Sequence, residues 1–432
     1  MTQQQHKLKF ALSRNDSGNW TDSFDDEGVV VLRSTEQTVS GGWQINSPAR
    51  LHFNPPLPED AFLKTGDIVI TKSSGSSLHI GKASLVDDEI EGMRCTFSNF
   101  MQRLRCKPNF VPRLVWYFLN SADGRAELDR ASSTTTGLAN LNGTLIGNLD
   151  VSFPLLAEQR RIAGYLDEAT GKIDRLLGRR RRQMELLQEQ RAALIQQAVT
   201  RGLNPNAPLK PSGLQWLGDV PKHWEVIRLG RLAGLQGGYA FDSRDFGDEG
   251  VPVVRMNNLK RGHLDLTESA KVPSEKTLAR FALRDGDILF GMSGSIGETG
   301  SLGNFASVSA ANLPLQLNQR VGRFVLHHRK FTLEFLRLLM QSNVLAEQIL
   351  QFVTGTAQFN ISSQQVENVV IAVPPANEQI EIAKLVRHQE AKLDNLHLAY
   401  TRQLELLAEY RAALIHECVT GQRVVPGGYG ES

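Results

Sequence analysis

Two long stretches of the chain carry the same hydrophobic stripe. Between residues 158 and 200 there is no proline, and apolar side chains return at heptad-like steps: Leu166, Ile173, Leu177, Met184, Leu187, Leu194 and Ala198. Between residues 378 and 420, again without proline, the stripe is Val386, Leu393, Leu404, Leu407, Leu414 and Cys418. A stripe this narrow suits a seam between two helices better than a face laid on a broad core. Each stretch predicts a helix of roughly 43 residues, about 64 Å long at 1.5 Å per residue. The first helix ends near Gly202, where NPNAPLKPSG reads as a linker. Elsewhere the pattern is shorter in range. Runs rich in β-branched residues at 29–32, 68–71, 251–254 and 369–373, bounded by Gly, Asn, Asp or Pro, predict strands. Helical spacing in VPRLVWYFLN (111–120) and TLEFLRLLMQ (332–341) predicts one further helix in each half.

The two stripes belong to an internal repeat. Residues 154–200 align without a gap on residues 374–420, a shift of 220, with about 21 of 47 positions identical. RAALI occurs in both, at 191–195 and 411–415. The repeat extends upstream: LKTGDIVI (63–70) meets LRDGDILF (283–290) at the same shift, GVVVLR (28–33) meets GVPVVR (250–255) at a shift of 222, and TGLANLN (136–142) meets TGTAQFN (354–360) at 218. One unit of about 200 residues is therefore written twice, with a diverged front part and a well-matched back part, and so long a period means two tandem domains and not a solenoid. Two similar helices in one chain can pair antiparallel, which gives a pseudo-twofold molecule.

Composition narrows the class. At 432 residues the chain exceeds one ordinary core, and 41% hydrophobic with 22% charged residues is the balance of a soluble globular protein. No apolar run reaches the roughly 20 residues of a membrane span, and MTQQQHKLKF lacks the apolar region of a secretory signal. Three scattered cysteines, Cys95, Cys106 and Cys418, argue against a disulfide framework and fit a cytoplasmic protein. The net charge of +2 says little by itself, but Arg179, Arg180, Arg181 and Arg182 form a basic run.

Candidate chemistry is sparse. There is no G-x-x-x-x-G-K-[ST] phosphate loop, and GMSGSIGETG (291–300) lacks the lysine, so it reads as a hairpin with flexible turns. FNPPLPED (53–60) approaches the Asn-Pro-Pro-aromatic motif of adenine-N6 methyltransferases, but Leu57 stands where the stacking ring belongs. The ten histidines show no metal-ligand spacing, and Glu89 and Glu91 lack a following lysine to complete a nuclease cluster. The chain reads as a binder with no catalytic or metal site.

In this repeat the chain resembles the specificity subunits of Type I restriction–modification systems, over nearly its whole length. FPLLAEQRRIAGYLD (153–167) and VPPANEQIEIAKLV (373–386) look like the family's helix starts. RAALI followed by AVTRG or CVTGQ looks like its helix ends, LRDGDILFGMSGSIG (283–297) like a stretch of its recognition domains, and WLGDVPKHWEVIRLG (216–230) like its domain opener. The first unit departs from the pattern: it has no such opener, and Leu155 replaces the second unit's Pro375. The resemblance implies an α+β chain in which two mixed α/β target-recognition domains are separated by two long α-helices paired as an antiparallel coiled coil. The expected boundaries are recognition domain 1–153, helical region 154–202, linker 203–213, recognition domain 214–373, helical region 374–421 and tail 422–432.

The resemblance also implies a non-catalytic, cytoplasmic subunit that binds double-stranded DNA at a bipartite, asymmetric target. Its partners would be two adenine-N6 methyltransferase subunits and, in the full complex, restriction subunits; S-adenosylmethionine, ATP and Mg would be held by those partners and no cofactor by this chain. A recognition subunit of a related bifunctional restriction–methylation enzyme and a two-headed protein scaffold are the alternatives. Phosphate contacts call for cations and small hydroxyl residues in turns, here Lys72, Ser73, Ser76 and Lys82 in the first unit and Ser293 and Ser295 in the second. Base reading calls for bidentate donors, here Arg33, Asn140 and Asn142, then Arg255, Asn257, Asn258, Gln358 and Asn360. Arg179, Arg181 and Arg182 are expected on spacer DNA. Leu166, Ile173, Leu177, Leu187 and Leu194 are expected to meet Leu393, Tyr400, Leu407 and Leu414 in the seam, and Gly164, Gly171 and Gly178, seven residues apart, are either a tolerated weakness of the helix or a groove for a methyltransferase subunit.

Overall fold

The computed structural model describes residues 6–74, 79–132, 141–260, 262–295, 300–352 and 359–427. Both predicted long helices form, over Leu156–Arg201 and Ala376–Val419. The first stops at Gly202, whose φ of 73° is the left-handed conformation that ends a helix at little cost only for glycine. A Cβ there would also stand 2.9 Å from the Trp224 ring.

The chain divides into two compact units, and the division cuts both long helices. One unit comprises residues 1–181 and 401–432, the other residues 182–400. Each unit is thus a head together with half of each helix, where the sequence pattern separates heads from helices.

In the first unit, four antiparallel strands lie in the order Leu12–Ser17, Met101–Cys106, Ile68–Thr71, Ala83–Leu85. A three-stranded sheet, Ala49–Leu51, Phe24–Leu32, Thr96–Phe97, sits in the same head, with its last pair parallel. The second unit repeats the plan. Its strands run Ala233–Gly237, Val321–Leu326, Ile288–Gly291, Phe305–Ser307, and its smaller sheet is Lys271–Val272, Val251–Val254, Gln316–Leu317, again with the last pair parallel. The paired helices Pro112–Asn120 and Ala122–Ser132 answer to Leu333–Gln341 and Asn343–Phe352. Part of the expected linker is ordered: Leu209–Pro211 pairs with Asp219–Pro221, and the Lys210 ammonium donates to the Trp224 carbonyl.

Each core runs from head into helix. In the first unit Trp116, Tyr117, Leu119 and Ile146 share a cluster with Leu166, Ile173 and Leu177 of the first long helix and Leu414, Ile415 and Cys418 of the second. In the second unit Trp224, Phe335 and Leu336 share one with Ile195, Ala198 and Val199 of the first helix and Ile382, Ala383 and Val386 of the second. Within each unit, then, the early half of one helix meets the late half of the other, which is antiparallel pairing.

The stripe on each helix is a full heptad ladder of buried or half-buried positions. It reads Leu166, Thr170, Ile173, Leu177, Arg180, Met184, Leu187, Arg191, Leu194, Ala198, and at the same repeat positions Val386, Glu390, Leu393, His397, Tyr400, Leu404, Leu407, Arg411, Leu414, Cys418. All the expected seam residues lie on it. Leu187, Leu194, Leu393, Tyr400 and Leu407 are half-buried where Leu166 and Leu414 are fully buried. Polar members that a search for apolar residues passes over complete the ladder.

Candidate nucleic-acid interface

Both heads seat their long helix with the same glutamine. Gln159 accepts a hydrogen bond from the Val111 backbone N–H at 2.9 Å and donates to the Pro154 carbonyl at 2.8 Å. Gln379, 220 residues on, accepts from the Thr332 N–H at 2.9 Å and donates to Pro374 at 2.8 Å and to Lys330 at 2.7 Å. Both side chains are buried, so each ties a helix start to the turn that opens a head helix. This is what the glutamine of the repeated Glu-Gln pair does.

The repeated Gly-Asp pair is also structural. Gly66 and Gly286 take φ of 89° and 83°, closing turns in which Asp67 and Asp287 accept from the backbone N–H of Lys64 and Arg284. The carboxylates then pair with arginines from the neighbouring strand: Arg105 holds the fully buried Asp67 at 2.6 and 2.7 Å, and Arg323 holds Asp287 at 3.3 Å. These contacts fix the strand that leads into the candidate loops, after Thr71 in one unit and Gly291 in the other. Both loops are anchored by one matched bond, Leu141 N–H to the Lys72 carbonyl and Ile361 N–H to the Met292 carbonyl, each 2.9 Å.

In the first unit the Lys72 ammonium donates to Ser17 at 2.6 Å, and Ser17, Gln102, Asn15 and the Gly143 carbonyl continue a chain of hydrogen bonds of 3.2, 2.7 and 2.7 Å. Partial burial lowers the Lys72 pKa from its ordinary value. Ser73 is half-buried beside it, and the exposed Asn142 caps the short helix Gly143–Gly147 by accepting from the Leu145 N–H. Ser76 and Asn140 lie outside the described residues. Asn15 and Gln102 are invisible to sequence reasoning, because only the sheet brings strands some 87 residues apart into register.

One expected contact of this unit is corrected, and another is engaged within the fold. Lys82 is buried, and its ammonium donates to the carbonyls of Ser34 and Gln37, both at 2.8 Å, so it braces a turn and is not free for a phosphate. Arg33 is tied to the buried Glu36, its guanidinium donating at 2.7 and 3.3 Å and also to the Ser47 carbonyl at 3.1 Å. Reading a base would require it to give up that pair.

In the second unit Ser293 pairs with Asn360 across a short antiparallel bridge, and the Arg320 guanidinium stands 3.4 Å from the Asn360 amide oxygen. Ser295, Asn257 and Asn360 are exposed, while Ser293 is buried in the bridge and Asn258 is buried as a brace. The Asn258 amide donates to the Asp265 carbonyl and accepts from the Arg255 N–H, both at 2.9 Å. The Asn258 amide is committed within the fold and is not free for DNA, which corrects the expectation for that residue. Gln358 lies outside the described residues. Arg255 is half-buried and lines an open groove.

The basic run lies within the first long helix, with Arg179 and Arg181 exposed. Arg182 is exposed as well, but Glu185 at 2.8 Å and Glu189 at 3.3 Å already engage its guanidinium, which weakens it as a phosphate contact. No group of His, Cys, Asp and Glu among the described residues is arranged to hold a metal ion.

The comparisons with known proteins fit this geometry. The family model of the Type I restriction modification DNA specificity domain matches residues 221–405. The chain is 26% identical over 378 residues to the Type I restriction enzyme EcoKI specificity subunit of Escherichia coli K12, covering 85% of this chain and 76% of that one. It is 23% identical over 363 residues to the MjaVIII specificity subunit of Methanocaldococcus jannaschii, covering 84% and 82%. Among solved structures, a chain from work on complex assembly and conformational transition of the type I R-M system matches with a TM-score of 0.72 at 16% identity, covering 96% of this chain and 97% of that one. The HsdS subunit from Thermoanaerobacter tengcongensis matches with a TM-score of 0.54 at 16% identity, covering 97% of each. With its duplicated heads and duplicated long helices, the chain is similar to the specificity subunits of type I restriction–modification systems.

Proposed function

We propose that this chain reads a split duplex site, one half per head, and recruits methyltransferase and restriction subunits that carry out the chemistry. The observation that carries the reading is the contrast between seat and tip. Gln159 and Gln379, Asp67 and Asp287, and the Lys72 and Met292 anchors hold the two heads in the same way, while the loops they support differ in residue and charge. Equal seats with unlike tips suit an asymmetric target whose halves are read independently and whose spacing is set by the long helices.

Two copies of one partner follow from the same repeat. Leu176 and Leu396 are exposed at matched positions, as are Leu186 and Leu406. Gly164 and Gly178 leave open space where a Cβ would stand, and at Gly171 a Cβ would meet only the Arg175 guanidinium at 3.6 Å. These glycines, whose counterparts in the second helix are Lys384, Ala391 and Leu398, suit close approach by a methyltransferase subunit on the first helix alone. S-adenosylmethionine, ATP and Mg belong to the partner subunits in this reading, and the assembly works in the cytoplasm; among the described residues no helix is long and apolar enough to cross a membrane.

The test is binding of duplex DNA by the complex with its methyltransferase subunits, across a range of salt. A steep linear fall of log affinity with log salt, together with methylation of one bipartite sequence, is expected. Salt-independent binding, or binding to protein partners alone, would make the chain a scaffold.

A further inference from the structure

Arg33 and Arg255 occupy the same place in the repeat, and their surroundings differ. Each precedes a short 3-10 turn, Ser34–Glu36 or Met256–Asn258, whose last residue accepts from the arginine's own N–H, at 2.6 Å for Glu36 and 2.9 Å for Asn258. In the first unit that residue is a carboxylate, which also neutralises the guanidinium. In the second it is an amide already committed to the Asp265 carbonyl, so the Arg255 guanidinium receives no counter-charge. Among the described residues it makes no hydrogen bond or ion pair. Its Nε is buried without a partner, and its guanidinium carbon lies over the Phe246 ring, 5.6 Å from the ring centre.

Leaving such a donor unpaired is costly, and an arginine held on an aromatic face is pre-organised for planar, bidentate recognition. The groove it lines, about 560 Å³, is open to solvent and also holds Asp248, Glu268 and Lys271. Those two carboxylates would repel a phosphate. They do not repel an uncharged base edge, and a carboxylate can accept from the amino group of the paired cytosine.

Resting on the DNA-reading function above, we propose that Arg255 is a specificity-determining residue that reads the two-acceptor edge of a guanine in the half-site of the second head, and that Arg33 has no such role. The first head must then take its specificity from other side chains.

The test uses the chain assembled with its methyltransferase subunits, with methylated sites sequenced genome-wide for wild type, Arg255→Ala, Arg255→Lys and Arg33→Ala. Arg255→Lys keeps the stem and the charge but loses the fork, so it guards against a failure of Arg255→Ala to fold. The expected result is loss of discrimination at one G·C pair of one half-site, roughly 5- to 150-fold, in both Arg255 variants, with the other half-site unchanged. Arg33→Ala should leave both half-sites as they are. A half-site without a G·C pair, an unchanged target in both Arg255 variants, or a uniform loss of affinity with a shallower salt slope would overturn the assignment, the last making Arg255 a phosphate contact. If wild type methylates no bipartite site, it is the DNA-reading function that fails.

Discussion

Arg411 donates to Asp174 at 2.8 Å, joining the late part of the second long helix to the early part of the first within one unit. The other unit contains the same pair in its repeat positions: Arg191 donates to Asp394 at 2.9 Å and to Glu390 at 3.1 Å. The arginines are those that open the two copies of RAALI. A charge pair at a defined heptad position sets direction and register more than it adds stability, because a slipped or parallel alignment leaves it unmatched.

The first prediction concerns these pairs. They are partly exposed, so Asp174→Asn or Asp394→Asn alone should lower stability by about 0.2–1 kcal/mol. The exchange of Arg411→Asp with Asp174→Arg should recover most of what either change loses. Denaturant unfolding of the four proteins gives the coupling, and strict additivity of the two single changes would show that the pair does not interact.

The seam should be unequal along its length. Leu166→Ala, at a fully buried position, should cost about 2–5 kcal/mol, whereas Leu187→Ala, at a half-buried one, should cost clearly less. Thermal unfolding compares them directly; equal losses would mean that the exposure of the ladder does not reflect its packing.

Gln379→Ala removes a buried side chain that accepts from Thr332 and donates to Pro374 and Lys330. It should destabilise by about 1–3 kcal/mol, the cost of leaving backbone groups unsatisfied. Gln159→Ala should do the same in the other unit. Hydrogen exchange would show the Thr332 amide losing protection in the first variant and the Val111 amide in the second; protection unchanged at both would mean that neither glutamine clamps its helix start.

The long helices, the strands at 68–71 and 251–254 and the paired ladder are legible in the chain, because a heptad stripe and β-branched runs bounded by turn residues are carried by local sequence. Arg191, Arg411 and Glu390 are not, because charged residues in a heptad read as a solvated face until the partner helix is placed beside them. Lys82 and Asn258 look like surface donors for a related reason. The carbonyls that hold Lys82 belong to residues 34 and 37, some 45 positions away, and local sequence does not show which loop folds over a lysine. Arg33 and Arg255 look alike in the sequence for the same reason, although Glu36 or Asn258 decides whether the guanidinium is free.

The basic run gives a graded prediction. Replacing Arg179 and Arg181 by Gln should reduce the salt slope of DNA binding by about one unit for each phosphate that the two arginines neutralise, with the preferred sequence unchanged. Arg182→Gln should reduce it less, because Glu185 and Glu189 already engage that side chain. The slope is read from binding at several salt concentrations, and an unchanged slope in the double variant would place these arginines away from the DNA.

The central claim is that two unlike readers sit on equal seats, and exchange of one head tests it most directly. Residues 1–153 are replaced by the corresponding head of another specificity subunit, and the methylome is sequenced in cells supplying the partner subunits. One half-site should change to that of the donor, while the other half-site and the spacer length stay as they were. A change in both half-sites with methylation preserved, or a change in the spacer, would contradict the claim.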